Sequence, residues 1–221
     1  MCNPKWDLEE FRSLIAKRHG NNLLSRVEVY LDALNWNVCR ANYHANKFDG
    51  YWKELFEQNV IRVNSDEFRK TMFYSTYEME SIIQSLHSLG DLLAQVSNVA
   101  ILGQSCSDEG RVSLEGIIRH LSLSNIARAV RQNLDDFKTC HEFQYINAFC
   151  NVVKHRRLID FDYHMSAVRG GQVSQGLRFK EFEYNNVTHS IKWSNDIKEQ
   201  YRDVLFRRLN EVGISINNHL T

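Results

Sequence analysis

The sequence predicts a mainly α fold: a helical bundle with long antiparallel helices, plus a small three-stranded antiparallel β-meander before the C-terminal helix. Three observations predict it. A single proline, Pro4, occurs in 221 residues, and proline is the residue that most reliably ends a helix. Long series of apolar residues step by threes and fours, the spacing of one helix face. Past Arg157 the period drops to two, the spacing of a strand with one buried face.

The elements follow in order. Residues 7–18 read as a short helix, opened by Asp7 with Glu10 in a capping-box arrangement. Over 22–48, Leu23, Val27, Leu31, Leu34, Val38, Ala41, Ala45 and Phe48 mark one helix face, and 51–58 reads as a further short helix. A longer series runs Phe68, Met72, Ser75, Met79, Ile82, Leu86, Leu89, Leu93, Val96, Ala100, with Ser65 as its cap and Asp66 and Glu67 in an acidic first turn. At the helical rise this element is about 50 Å long, so it should pair antiparallel with the 22–48 helix. Residues 103–111 are the main loop of the helical part. Beyond it 114–121 is a short helix, and Leu123, Ile126 or Ala127, Val130, Leu134 and Phe137 mark another.

Thr139 and Glu142 then bracket a capping box for a helix over 140–157. Phe143, Tyr145, Ile146, Ala148, Phe149, Cys150, Val152 and Val153 make it apolar on nearly every side, which places it centrally. In the following strand Ile159, Phe161, Tyr163, Met165 and Ala167 alternate with Asp160, Asp162, His164 and Ser166. Gly170 and Gly171 offer a turn into a second strand over 177–184 with an irregularity near Lys180 and Glu181. Asn185 and Asn186 make a tight turn into Val187, His189, Ile191 and Trp193. The meander occupies 158–193 within a single domain spanning 1–221. Ser194 caps a final helix carrying Ile197, Tyr201, Leu205, Leu209, Val212 and Ile216.

Composition bounds the function. Hydrophobic residues are 43% of the chain, with four Trp, nine Tyr and twelve Phe, enough apolar mass to offset the entropy of ordering. Basic and acidic residues balance at 27 each, so a nucleic acid must be held by a local patch rather than a global field. Arg119, Arg128 and Arg131 with Lys154, Arg156 and Arg157 are candidates for one. The five cysteines form no CxxC pair, which argues against a disulfide framework and a zinc knuckle. No metal or cofactor is expected. No run approaches the ~18 apolar residues of a membrane span, so no membrane is expected and the cytoplasm is the expected address. Walker, GxGxxG, HExxH and GxSxG motifs are absent from the sequence.

Asn147, Asn151, Lys154 and His155, followed by Arg156 and Arg157, put polar groups on a helix that otherwise reads as buried. Steps of three and four align the first four along one stripe. A buried amide or imidazole needs a partner, so the stripe either bonds loop backbone and holds the meander, or faces a cleft or an interface. Asp160, Asp162 and His164 share one strand face and could ligate a divalent ion, but same-face neighbours stand ~6 to 7 Å apart and a solvated face is the expectation. Trp36, Tyr43, Trp52, Tyr74 and Tyr77 read as core or groove linings. Phe73, Tyr77 and Ile83 offer the long helix a second apolar face and predict a homo-oligomer.

The segment from Phe149 through Cys150, Asn151, Val152, Val153, Lys154 and His155 to Arg156 resembles the motif of the HEPN superfamily, helical proteins many of which are metal-independent ribonucleases or toxin and defence components. The family motif is an Arg, then a polar residue such as Asn, then a His. Asn151 and His155 match their places, and Cys150 stands where the Arg would be. The resemblance implies His155 as the proton-transfer group, with Asn151 and Arg156 beside it in the catalytic set, and Asn147, Lys154 and Arg157 as ligand-binding residues. Because a cysteine cannot neutralise charge developing on a phosphate, it implies either a non-cleaving member or replacement of the missing cation by Arg156, Arg157 or Lys154. The expected function is binding of RNA or a nucleotide, with metal-independent RNA cleavage if the site is competent. The alternative is a non-catalytic protein-interaction or dimerisation module.

Overall fold

The computed structural model describes residues 5–57, 65–106, 108–155, 159–167 and 173–221, with side chains described throughout except at 56, 57, 155, 165–167 and 173–175. The chain gathers into two compact units. Met1–Val38, Leu86–Gln144 and Asp203–Thr221 form the first, and Cys39–Ser85 and Tyr145–Arg202 form the second. Each boundary between them falls inside a helical stretch.

Helix α1 spans Leu8–Glu57 and is interrupted at Gly20 alone, where φ 80 and ψ 171 leave the helical region. A residue without a side chain accepts that backbone at little cost. The expected cap holds, since Asp7 Oδ1 accepts from the Glu10 amide at 2.9 Å. The break expected between Phe48 and Tyr51 does not occur. Gly50 stays helical because the buried stripe Ala41, Ala45, Phe48, Trp52, Leu55 continues through it, and burial outweighs the ~1 kcal/mol helix penalty of one glycine. Helix α2 spans Asp66–Ala100, with Ser65 Oγ accepting from the Phe68 amide at 3.1 Å. Of its predicted apolar series, Met72 alone is not fully buried.

In the first unit α1 and α2 run antiparallel, with His19 Nε2 against the Ala100 carbonyl at 2.9 Å. A 3-10 turn at Glu109–Arg111 leads to α3, Leu114–Ser124, and α4, Arg128–Thr139. Left-handed residues Asn125 and Ala127 make the tight link between them. Leu123 and Ile126 lie in and beside that link and are exposed, so the core face of α4 is Val130, Leu134 and Phe137. The expected Thr139 capping box is not formed. Thr139 belongs to the last turn of α4, its hydroxyl donates to the Asp135 carbonyl at 2.7 Å, and α5 begins at His141 and runs to His155.

Trp6 closes this unit against helix α7, Arg202–Leu220. Its indole N–H donates to Asn217 Oδ1 at 3.1 Å, and the Asn217 amide nitrogen donates to the Asp7 carbonyl and to Glu10 Oε2, each at 2.9 Å. A buried amide so placed has its bonds satisfied. The indole lies flat on Gly213, where an added Cβ would sit 2.0 Å from the Trp6 ring.

In the second unit α1 and α2 are again antiparallel, with His44 against Glu78 and Tyr51 against Tyr74. Strands β1, Phe161–Ala167, β2, Val173–Phe179, and β5, Lys192–Trp193, form an antiparallel sheet in the order β1-β2-β5. Strands β3, Phe182–Tyr184, and β4, Val187–His189, form a hairpin. Phe179 opposes Lys192 and Phe182 opposes His189, so one hairpin register runs through both pairs and is interrupted at 180–181 and 190–191. The expected irregularity at Lys180 and Glu181 is this interruption, and it recurs on the partner strand. Asn185 and Asn186, at φ 51 and 61, form the tight turn with both central residues left-handed. The expected turn at Gly170 and Gly171 lies outside the described residues.

One face of the sheet packs on helices. Tyr163 stacks on Trp52 at 5.8 Å and meets Phe68 edge-on at 5.1 Å, while Phe179 meets Phe149 edge-on at 5.0 Å. Ser194 does not cap the following helix, because its hydroxyl donates to the Leu177 carbonyl in β2 at 3.0 Å. The chain instead passes through a short α6, Ser194–Asp196, and a π-helical turn, Ile197–Tyr201, before α7. The π turn carries Lys198, buried, with its ammonium on Asp49 and 5.5 Å from the Phe48 ring.

The two helical glycines Gly213 and Gly50 should respond oppositely to a methyl group. Gly213→Ala drives a Cβ into Trp6 and should cost about 1 to 3 kcal/mol, lowering the melting temperature by several degrees. At Gly50 a Cβ meets nothing within 4 Å, so Gly50→Ala should stabilise by about 0.5 to 1 kcal/mol. Thermal or denaturant unfolding of the two variants checks this, and equal signs would contradict the packing described.

Candidate functional site

From Tyr145 onward α5 is enclosed on most sides. Tyr145, Ile146, Ala148, Phe149, Cys150 and Val152 are buried, while Asn147 and Asn151 are half-buried and Lys154 is exposed. The predicted stripe is therefore the one side of this part of the helix left toward solvent. Asn151 Nδ2 donates to the Asn147 carbonyl at 2.8 Å and to Asn147 Oδ1 at 3.1 Å, so its donor side is engaged within the helix rather than on the meander. The meander is held by the aromatic contacts given above. The His155 backbone closes α5, its side chain is not among those described, and Arg156 and Arg157 lie outside the described residues.

Cys150, one turn before Lys154 on the flank of that stripe, is covered by α2. Only 3% of it is exposed, and its thiol lies 3.9 Å from the Ile83 carbonyl of α2. Burial pushes the thiol up to about 12, with a smaller opposing influence of Lys154 and a small one of Glu80 in the same upward direction. A shallow cleft over it is lined by Glu80, Ile83, Gln84, Phe149, Val153 and Lys154. Desolvation raises the Glu80 carboxyl above its ordinary value. Glu80 was not singled out in the sequence. It is one of three Glu in a 35-residue helix and carries no local signal, and its place beside Cys150 comes from the packing of α2 on α5.

The other sequence candidates separate. Asp162 pairs in bidentate fashion with Arg178 across the β1–β2 ladder at 3.0 and 3.1 Å, His164 lies against the Trp193 ring at 5.7 Å, and Asp160 is exposed ahead of β1. Among the described residues no group of three His, Cys, Asp or Glu could hold a metal ion. Arg119 and Arg128 are exposed in the first unit, where Arg131 donates to Ser122 Oγ at 3.0 Å. Among the described residues no helix is long and apolar enough to cross a membrane.

The aromatic residues read as core or groove linings divide. Trp52 is buried, but Trp36 is 70% exposed, Tyr77 58%, Tyr43 57% and Tyr74 44%, with Phe73 at 68%. Ile83, expected on an outward apolar face with Phe73 and Tyr77, is fully buried beneath α5. Two tertiary pairs are also not visible in the sequence: His44 with buried Glu78, and buried Lys198 with exposed Asp49. Both depend on tertiary neighbours, and buried Lys198 becomes costly if its partner is removed.

A neutral, enclosed thiol should be chemically silent. A thiol-specific reagent at pH 8 should label exposed Cys39 within minutes and leave Cys150 unmodified until the protein unfolds. Cys150→Arg should cost at least about 3 kcal/mol by burying an unpaired charge. Rapid native-state labelling of Cys150, or an arginine variant as stable as the parent, would contradict its burial. No family model, no curated protein and no solved structure matches the chain.

Proposed function

We propose that this chain is a HEPN-like helical protein that binds RNA or a nucleotide beside the motif helix without cleaving it. The burial of Cys150 carries the reading. Metal-independent phosphodiester cleavage needs a proton-transfer group and a cation placed where charge develops on the phosphate. At the motif place of that cation this chain has a neutral thiol turned into the core. Asn151 and exposed Lys154 remain on the solvent side of α5, a hydrogen-bonding amide and a cation suited to phosphate and sugar groups. In this reading His155 and Arg156, with Arg157, complete the binding surface, and Asn147 orients Asn151.

A second reading, a non-catalytic protein-interaction or dimerisation module, is favoured by the exposure of Phe73 and Tyr77. Large exposed rings are enriched where proteins meet partners.

Incubation of labelled single-stranded RNA with the parent, His155→Ala and Lys154→Ala should give no cleavage with any of them. Binding should weaken by about tenfold or more in His155→Ala, with the melting temperature nearly unchanged. Cleavage by the parent, or equal binding by all three, would overturn the proposal. Sedimentation at micromolar concentration bears on the second reading, and a monomer with no RNA affinity would defeat both dimerisation and the nucleic-acid reading.

A further inference from the structure

We infer that the outward face of α1 and α2 in the second unit is a base-stacking platform for single-stranded nucleic acid. The inference rests on the nucleic-acid reading above and adds a surface to it that lies outside the motif helix.

The face is a row of rings that the fold does not use. Tyr51 of α1 and Tyr74 of α2 stack at 5.3 Å with their planes 19° apart, and Phe73 meets Tyr74 edge-on at 5.5 Å. Two helical turns before Tyr51, about 12 Å along the axis, stands Tyr43. Between Tyr43 and Tyr51 runs an open groove lined also by Asn46, Lys47, Gly50 and Glu54. Gly50 keeps the middle of that groove clear, since nothing lies within 4 Å of where its Cβ would be.

Charge and chemistry select the occupant. The Lys47 ammonium lies 5.7 Å from the centre of the Tyr43 ring and makes no ion pair among the described residues. It can therefore meet a phosphate while a base lies on the ring beside it. Lys70, exposed, stands one turn before Phe73 and Tyr74. Of the nearby acids, Asp49 is taken by Lys198, Asp66 is paired with Arg69 at 3.8 Å, and Glu67 sits in the first turn of α2. Glu54 is left in the groove, where a carboxylate accepts from an exocyclic amine of a base and Asn46 can donate or accept. Aromatic faces with an adjacent cation suit unstacked bases, whereas a duplex keeps its bases stacked on one another. A protein partner would also cover such rings, and the test separates it.

Fluorescence anisotropy of a labelled single-stranded oligoadenylate should be titrated at low salt with the parent, Tyr43→Ala, Tyr74→Ala, the two matching Tyr→Phe variants and Lys47→Gln. All are surface changes, and thermal melts confirm the fold. Each alanine should weaken binding by about tenfold, each phenylalanine should bind like the parent, Lys47→Gln should flatten the salt dependence, and a duplex should not compete. Alanine variants that bind like the parent overturn the inference, as does an effect of these alanines on self-association alone, which would make the face an interface between copies. If binding is lost in His155→Ala but not in the tyrosine variants, the platform falls and the motif-helix site stands. If the parent binds no oligonucleotide, both fall.

Discussion

The enclosure of α5 between Tyr145 and Val152 is the constraint on which the second unit depends. Tyr145 meets Phe182, Tyr201 and His189 at 5.4, 5.7 and 6.0 Å, and Phe149 meets Phe179 and Phe182 at 5.0 and 6.0 Å. Each ring pair adds about 0.5 to 1.5 kcal/mol beyond the area it buries. The sheet, the π turn and α2 are all held to this one helix. With so many of its positions claimed by packing, only the Asn147, Asn151, Lys154 side is left for anything else. Cys150 falls on the packed side and is neutral for that reason. The enclosure also strands a polar atom: the Tyr145 hydroxyl is buried without a hydrogen-bond partner among the described residues, a cost of about 1 to 3 kcal/mol that the surrounding rings offset.

What the sequence made legible was periodicity. The α2 series from Phe68 to Ala100, the change of period in the strand through Tyr163, the turn at Asn185 and Asn186, and the central placing of α5 all follow from spacing and from local turn chemistry. What misled was local signals read without their neighbours. Gly50 looks like a break but sits in a continuous buried stripe. Thr139 and Ser194 have cap-forming side chains, yet their hydroxyls find nearer carbonyls at Asp135 and Leu177. Tyr43, Tyr74 and Tyr77 occupy helical spacings that a core would use, and only the packing of α1 on α2 decides that they face out.

The candidate site was legible in the same uneven way. The Asn147, Asn151, Lys154 stripe could be read from steps of three and four. The direction of Cys150 could not, because a thiol is equally at home in a core and in a cleft. Glu80, the pair of His44 with buried Glu78, and Lys198 on its π turn are tertiary facts. In each an ionisable group is set by a residue at least 34 positions away or by an apolar surround, and no short motif encodes that.

Native-state hydrogen exchange of the α5 amides tests the enclosure most directly. If this helix organises the unit, the amides of Ile146 to Val153 should exchange only through global unfolding, with an opening free energy equal to that of denaturant unfolding and among the highest in the chain. Exchange of these amides through a low-energy local opening, while α2 stays protected, would mean that α5 is a detachable surface helix and that Cys150 is not held in a core.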